Sequence, residues 1–156
     1  MTQNKLEEKE KLEAEIARSL SVVKMKEAYK QIEEVEKSRK KSAILSINER
    51  LSLNLRKSLD FLSVLLKSVS SNEEFFFNFR LSDGFTGIKS ELDAIVKTYK
   101  SIRFDLQRNI DVKNEDFDKL FPEPSINFET CNNVATSLNC LNAQMRDMQL
   151  YCQRLL

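Results

Sequence analysis

Residues 131–156 read CNNVATSLNCLNAQMRDMQLYCQRLL. Sampled at alternating steps of three and four, the stretch yields Cys131, Val134, Leu138, Leu141, Met145, Met148, Cys152 and Leu155, all apolar and without a slip. That rhythm keeps one side of an α-helix apolar over its whole length, and it is the repeat by which helices zip together along a seam. The spacing predicts a helix entered near Ser125 or Asn127, whose short polar side chains can accept from the free amides of a first turn. Cys131 and Cys152 fall inside the seam, where a free thiol packs as a small hydrophobe, and Cys140 falls beside it. Structural zinc needs four ligands arranged in close pairs. Three cysteines spaced nine and twelve apart on one helix cannot converge on an ion, and the chain has no histidine. No metal and no cofactor are expected. The seam still runs at Leu155 and Leu156, with no glycine or proline to end it, and reads as a segment of a longer coiled-coil protein.

Working outward, the same rhythm recurs upstream. Ile88, Leu92, Ile95, Tyr99, Ile102 and Leu106 are spaced four and three in turn, and Asn109 continues the row with a polar residue. Between the two seams, DVKNEDFDKLFPEPSINF reads as a loop with one helical turn around Phe117 to Leu120, because Pro122 and Pro124 forbid a continuous helix. Its Asp111, Glu115, Asp116 and Asp118 lack the residue order and central glycine of a calcium loop and read as solvated. From Ala43 onward, Ile47, Leu51, Leu55, Leu59, Leu62, Leu66 and Val69 recur at fours and threes, and Leu53, Phe61, Val64 and Leu65 broaden the face, which predicts a helix buried on more than one side. It should break at SVSSNEEFFFNFRLSDGF, where Ser71 with Glu74, or equally Ser70 with Glu73, forms a capping box. A short helix follows (less favourably a strand, which would lack a partner), and Gly84 offers a left-handed stop.

Residues 1–42 differ in kind. Nearly half are charged, with the signs finely mixed, and pairs such as Glu7 with Lys11 support a solvated helix. The apolar content thins to Val22, Met25, Tyr29 and Ile32, then stops at EEVEKSRKKS. No residue forces a break before Ala43, so one helix from near residue 5 to residue 69 is expected, roughly 100 Å long. The predicted fold is all-α: an elongated helical bundle or coiled coil with one very long N-terminal helix and two seam-bearing helices packing back on it. Residues 1–42 are a charged helical arm and residues 43–156 the bundle domain.

Composition supports this class. The chain has 156 residues, 41% hydrophobic and 31% charged, with only two glycines and two prolines, too few turn formers for several strands. Its net charge of +1 argues against a dedicated nucleic-acid binder. The N-terminus lacks the apolar stretch of a secretion signal, and an odd number of cysteines on one helix makes a poor disulfide framework. A cytoplasmic, reducing setting is expected.

The chemistry of an enzyme is missing from the residue list. Without histidine the usual general base near neutral pH is absent, and neither a G-x-x-x-x-G-K-[ST] loop nor a G-x-G-x-x-G turn occurs. The expected role is therefore non-enzymatic: a helical subunit or scaffold of a multi-protein assembly, of cytoskeletal, kinetochore, tethering or adaptor type, and homo- or hetero-oligomeric. The expected partner-binding residues are Val22, Met25, Tyr29 and Ile32 of the arm, Phe75 and Phe76 of the phenylalanine cluster, and Leu138, Leu141, Met145, Met148, Cys152 and Leu155 of the last seam. Two alternatives compete. A helical dimer could rest on a membrane surface through the basic run Lys37 to Lys41, although negative charges are interleaved with the positive ones throughout. A bacterial effector or its chaperone often shares the helical, glycine-poor composition.

Overall fold

In the computed structural model, the described backbone comprises residues 2–71 and 84–156, with side chains described for 5–67 and 84–156. It is all-α, with no strand among the described residues. Helix α1 spans Thr2–Ser71, α2 spans Phe85–Asn109, α3 spans Asn114–Leu120 and α4 spans Cys131–Leu155. The residues group into two compact units, Met1–Lys40 and Lys41–Leu156. Ser71 is the last residue of α1, and the expected short helix within residues 72–83, including Glu74, Phe75 and Phe76, lies outside the described residues. Gly84 is not a left-handed stop. Its φ of −81° is right-handed, and it stands as the N-cap residue of α2.

In the second unit, α2 and α4 pack back on the later half of α1. Arg50 meets Ser101 and Asp105, whereas Asn54, one turn further on, meets the carbonyl of Ile95, so α2 runs antiparallel to α1. Ser52, Asn54 and Ser58 meet Gln149, Met145 and Asn142 in turn, so α4 is antiparallel to α1 as well and parallel to α2. The seam of α2 lies in the core from Leu92 to Leu106, and that of α4 from Cys131 to Cys152. Burying each such side chain stabilises the fold by roughly 1.5–3 kcal/mol.

The buried row of α1 includes Ile47, Leu51, Phe61 and Leu65 of the expected face, but beyond Leu51 it runs one position before the row of leucines. The buried row is Ile44, Ile47, Leu51, Asn54, Ser58, Phe61 and Leu65, an unbroken three–four alternation. Leu59 and Leu66 are exposed and Leu55 and Leu62 only partly covered, so the leucines flank the row instead of forming it. Two polar residues can hold core positions because the neighbouring helices satisfy them. Asn54 Nδ2 donates to the carbonyl of Ile95 at 3.1 Å and lies 3.4 Å from the Met145 sulfur, and the Ser58 hydroxyl donates to Asn142 Oδ1. These contacts offset most of the cost of burying the polar atoms, although Asn142 Nδ2 is buried without a partner. They also penalise shifted registers, which would strand more of them among apolar neighbours.

Parallel helices need a connection that travels back along the bundle. It begins with α3, longer than the single turn expected, and continues as an extended strap over residues 121–130. Phe121 packs edge-on against Phe117 and Tyr151 at 5.4 and 5.5 Å, and Phe128 packs against Phe85 at 6.2 Å. The strap therefore runs from the C-terminal end of α4 to its N-terminal end. Twenty residues of helix, Cys131 to Tyr151, cover about 30 Å. Ten extended residues reach about 33 Å, which leaves almost no slack. This explains why α4 starts at Cys131 and not near Ser125 or Asn127: an extra helical turn would leave the strap too short. Thr130 is the N-cap, its Oγ1 accepting from the Asn133 N–H at 3.1 Å. Asn127 is used within the strap, where its Oδ1 accepts from the Glu129 N–H at 2.9 Å and its own N–H donates to Ser137 at 3.0 Å.

Candidate partner-binding face

From Lys5 to Lys40 every described side chain is exposed. That would be ordinary for a charged helix, but this one carries a dense set of large apolar residues. Val22, Met25, Tyr29 and Ile32 keep 51%, 54%, 63% and 59% of their surface in water. At 3.6 residues per turn they share one side of the helix. A second row, Leu12, Ile16, Leu20 and Val23, is equally exposed and lies on nearly the opposite side. A helix is stabilised mainly by packing an apolar face, and within this chain no described residue covers either row. The flanks are charged: Lys37 to Lys41 are exposed, and Arg39 pairs with Glu36 at 3.7 Å, one turn apart. Exposed pairs of this kind contribute little by themselves.

The other expected partner-binding residues are placed differently. Leu138, Leu141, Met145, Met148 and Cys152 are buried against α1 and α2 of the same chain, with at most 2% of their surface in water. Their seam is occupied within the fold and offers no face to a partner in this conformation. Leu155, past the last buried position, is 47% exposed. Thus Val22, Met25, Tyr29 and Ile32 share one open face of the first unit, and the C-terminal seam is buried within the second.

One constellation was not expected from the sequence. Arg103 lies on α2 between seam positions, yet its side chain is only 7% exposed. Its Nε donates to the Phe121 carbonyl at 2.7 Å, and its two terminal nitrogens reach Asp118 at 2.5 Å and Glu123 at 3.0 Å. The guanidinium stands over the Phe117 ring, 5.0 Å from its centre. A planar cation with five donors suits such a junction, and it clamps α3 and the strap to α2. Asp118 is therefore engaged, although its carboxylate remains largely in water. No spacing rule signals this cluster, because its members come from three separate segments.

The buried ionisable groups are quiet chemically. Burial pushes the Tyr99 hydroxyl up to about 12, with Arg103 nearby opposing and Glu123 and Asp147 adding to the rise. That hydroxyl has no hydrogen-bond partner. Burial also pushes the Cys152 thiol up to about 11 and raises Cys131. Thiols held protonated are poor nucleophiles and poor metal ligands. Among the described residues no three His, Cys, Asp or Glu side chains converge on a metal-sized site, and no helix is long and apolar enough to cross a membrane. Comparison with protein-family models, with curated proteins and with solved structures finds no match to this chain.

Proposed function

We propose that this chain is a non-catalytic helical subunit, of scaffold or adaptor type, that binds other protein helices through its N-terminal arm. The observation that supports the reading best is the exposed row Val22, Met25, Tyr29 and Ile32 on a stretch of helix that no described residue covers. A partner helix laid along the row would bury these side chains in coiled-coil fashion, and the mixed charges beside them would select register and partner. The bundle is the anchor: its own seams are satisfied internally, so it can hold the arm without competing for the arm's ligand. The reading includes a reducing, intracellular setting, in keeping with three unpaired cysteines, of which two are sealed in the core.

The test compares the chain with a Met25→Asp/Ile32→Asp variant as baits in its native source. Defined protein partners should be retained by the first and lost by the second, while the variant bundle keeps its thermal unfolding midpoint. An identical set of partners on both baits would refute a role for this face.

A further inference from the structure

The exposed row has charged ends that complement each other when the sequence is reversed. Continuing the three–four spacing outward from Val22 and Ile32 reaches Arg18 and Glu15 on one side, then Glu36 and Arg39 on the other. The positions run 15, 18, 22, 25, 29, 32, 36, 39 without a slip, inside one uninterrupted helix. All eight side chains are exposed. The apolar centre is thus closed at each end by one acid and one arginine, in the same order.

Resting on the proposal that the arm is a binding face, we infer that its occupant is a second copy of this chain, paired antiparallel over residues 15–39. In an antiparallel pair the seam positions of one helix meet those of the other in reverse order. Val22 then faces Ile32 of the second copy, and Met25 faces its Tyr29. At the ends Glu15 meets the second copy's Arg39, and Arg18 meets its Glu36. The twofold axis repeats both contacts, so each of the eight charged seam residues in the pair finds an opposite charge. A parallel, in-register pair does the reverse. It sets Glu15 on Glu15, Arg18 on Arg18, Glu36 on Glu36 and Arg39 on Arg39, and like charges at a seam are strongly disfavoured. The seam therefore selects orientation as well as partner. The existing Glu36–Arg39 contact is a solvated pair within one helix, at 3.7 Å, and gives way readily to pairing across the seam. Twenty-five residues of helix exceed the length at which an isolated helix is marginal, and pairing supplies the packing each arm lacks.

Two readouts on the full chain decide the matter. In analytical ultracentrifugation the chain should move from monomer to dimer as concentration rises from about 1 to 100 µM, the range expected for a short apolar seam. Lysine cross-linking of the dimer should join Lys11 of one copy to Lys40 of the other. Within one helix those residues are about 43 Å apart, too far for a short linker, so the link reports an antiparallel neighbour. Glu15→Arg should weaken the dimer at least about tenfold, and adding Arg39→Glu to the same chain should restore it, because the exchanged charges again face each other. A chain that stays monomeric at about 100 µM, a dimer whose links join Lys11 to Lys11, or a double variant no better than the single one would each overturn the inference. A monomeric chain whose arm still retains a different protein in the bait experiment would sink this inference alone and leave the proposed function standing.

Discussion

The two halves of α1 carry the same kind of spacing and meet opposite fates. Between Ile44 and Leu65 the three–four row is covered by α2 and α4, even where it holds Asn54 and Ser58. Between Val22 and Ile32 a row of three aliphatic side chains and one tyrosine stands in water. Hydrophobicity of the row does not separate the two regions. Supply of partners does: the chain after Ser71 provides two helices with matching seams, and both pack on the second half. A helical row is a demand for a neighbour, and the number of matching rows in the same chain decides which demands are met from within.

The largest test of this difference replaces equivalent residues on either side of it. Leu138→Asp with Met145→Asp should abolish folding of the bundle, since each change buries an unpaired charge at a site with no exposed surface. Met25→Asp with Ile32→Asp should leave thermal unfolding of a dilute sample unchanged within about 0.5 kcal/mol, because no buried contact is lost. Equal damage from both pairs, read by circular dichroism, would erase the distinction between the regions.

A smaller effect comes from the buried thiol. Cys152 keeps its proton up to about pH 11 in the fold, against an ordinary value of 9. A group with a raised folded pKa contributes its stability fully below the unfolded value and loses it as pH climbs through the folded one. The bundle should therefore lose about 3 kcal/mol from this site between pH 9 and 11. Tyr99 adds a similar loss between pH 10 and about 12. Denaturant titrations at pH 8 and 10.5 should show a smaller drop for Cys152→Ala than for the parent, and an equal drop would contradict a sealed core there.

Removing the clamp of Arg103 should cost somewhat less. Arg103→Met keeps the stem and removes the charged hydrogen bonds to Asp118, Glu123 and the Phe121 carbonyl. A loss of about 2–3 kcal/mol is expected, with amide exchange rising first in the strap, and a loss under about 0.5 kcal/mol would show the clamp to be ornamental. The smallest change is Tyr99→Phe. The lost hydroxyl has no partner, so stability should hold within about 0.5 kcal/mol or rise, as a chemical-denaturation midpoint would show.

Much of the fold was legible because two of the three seams are chemically uniform. Leu92 to Leu106 and Cys131 to Cys152 could be followed by apolarity alone, and their helices lie where the spacing put them. In α1 the flanking leucines obscure the buried row, which follows them one position behind after Leu51. Strict continuation from Ile44, Ile47 and Leu51 would have reached Asn54 and Ser58, whose partners on other helices make them acceptable in a core. The start of α4 was set by distance, since the strap has to span the bundle, and no local capping rule contains that length. Arg103 was illegible for a related reason: its partners are separated along the chain and meet only once the strap is laid down. The arm's row could be read directly, because no described residue covers it.

Hydrogen exchange on the intact chain, read segment by segment at two concentrations, tests the central claim most directly. In a dilute sample the amides of residues 22–32 should exchange within about tenfold of unstructured rates, as a helix without tertiary cover does, while those of residues 138–148 should be slowed to the limit of global unfolding. Raising the concentration should slow the first segment and leave the second unchanged. Arm amides as protected as the bundle's at high dilution would mean that the chain covers its own arm, and the open face would not exist.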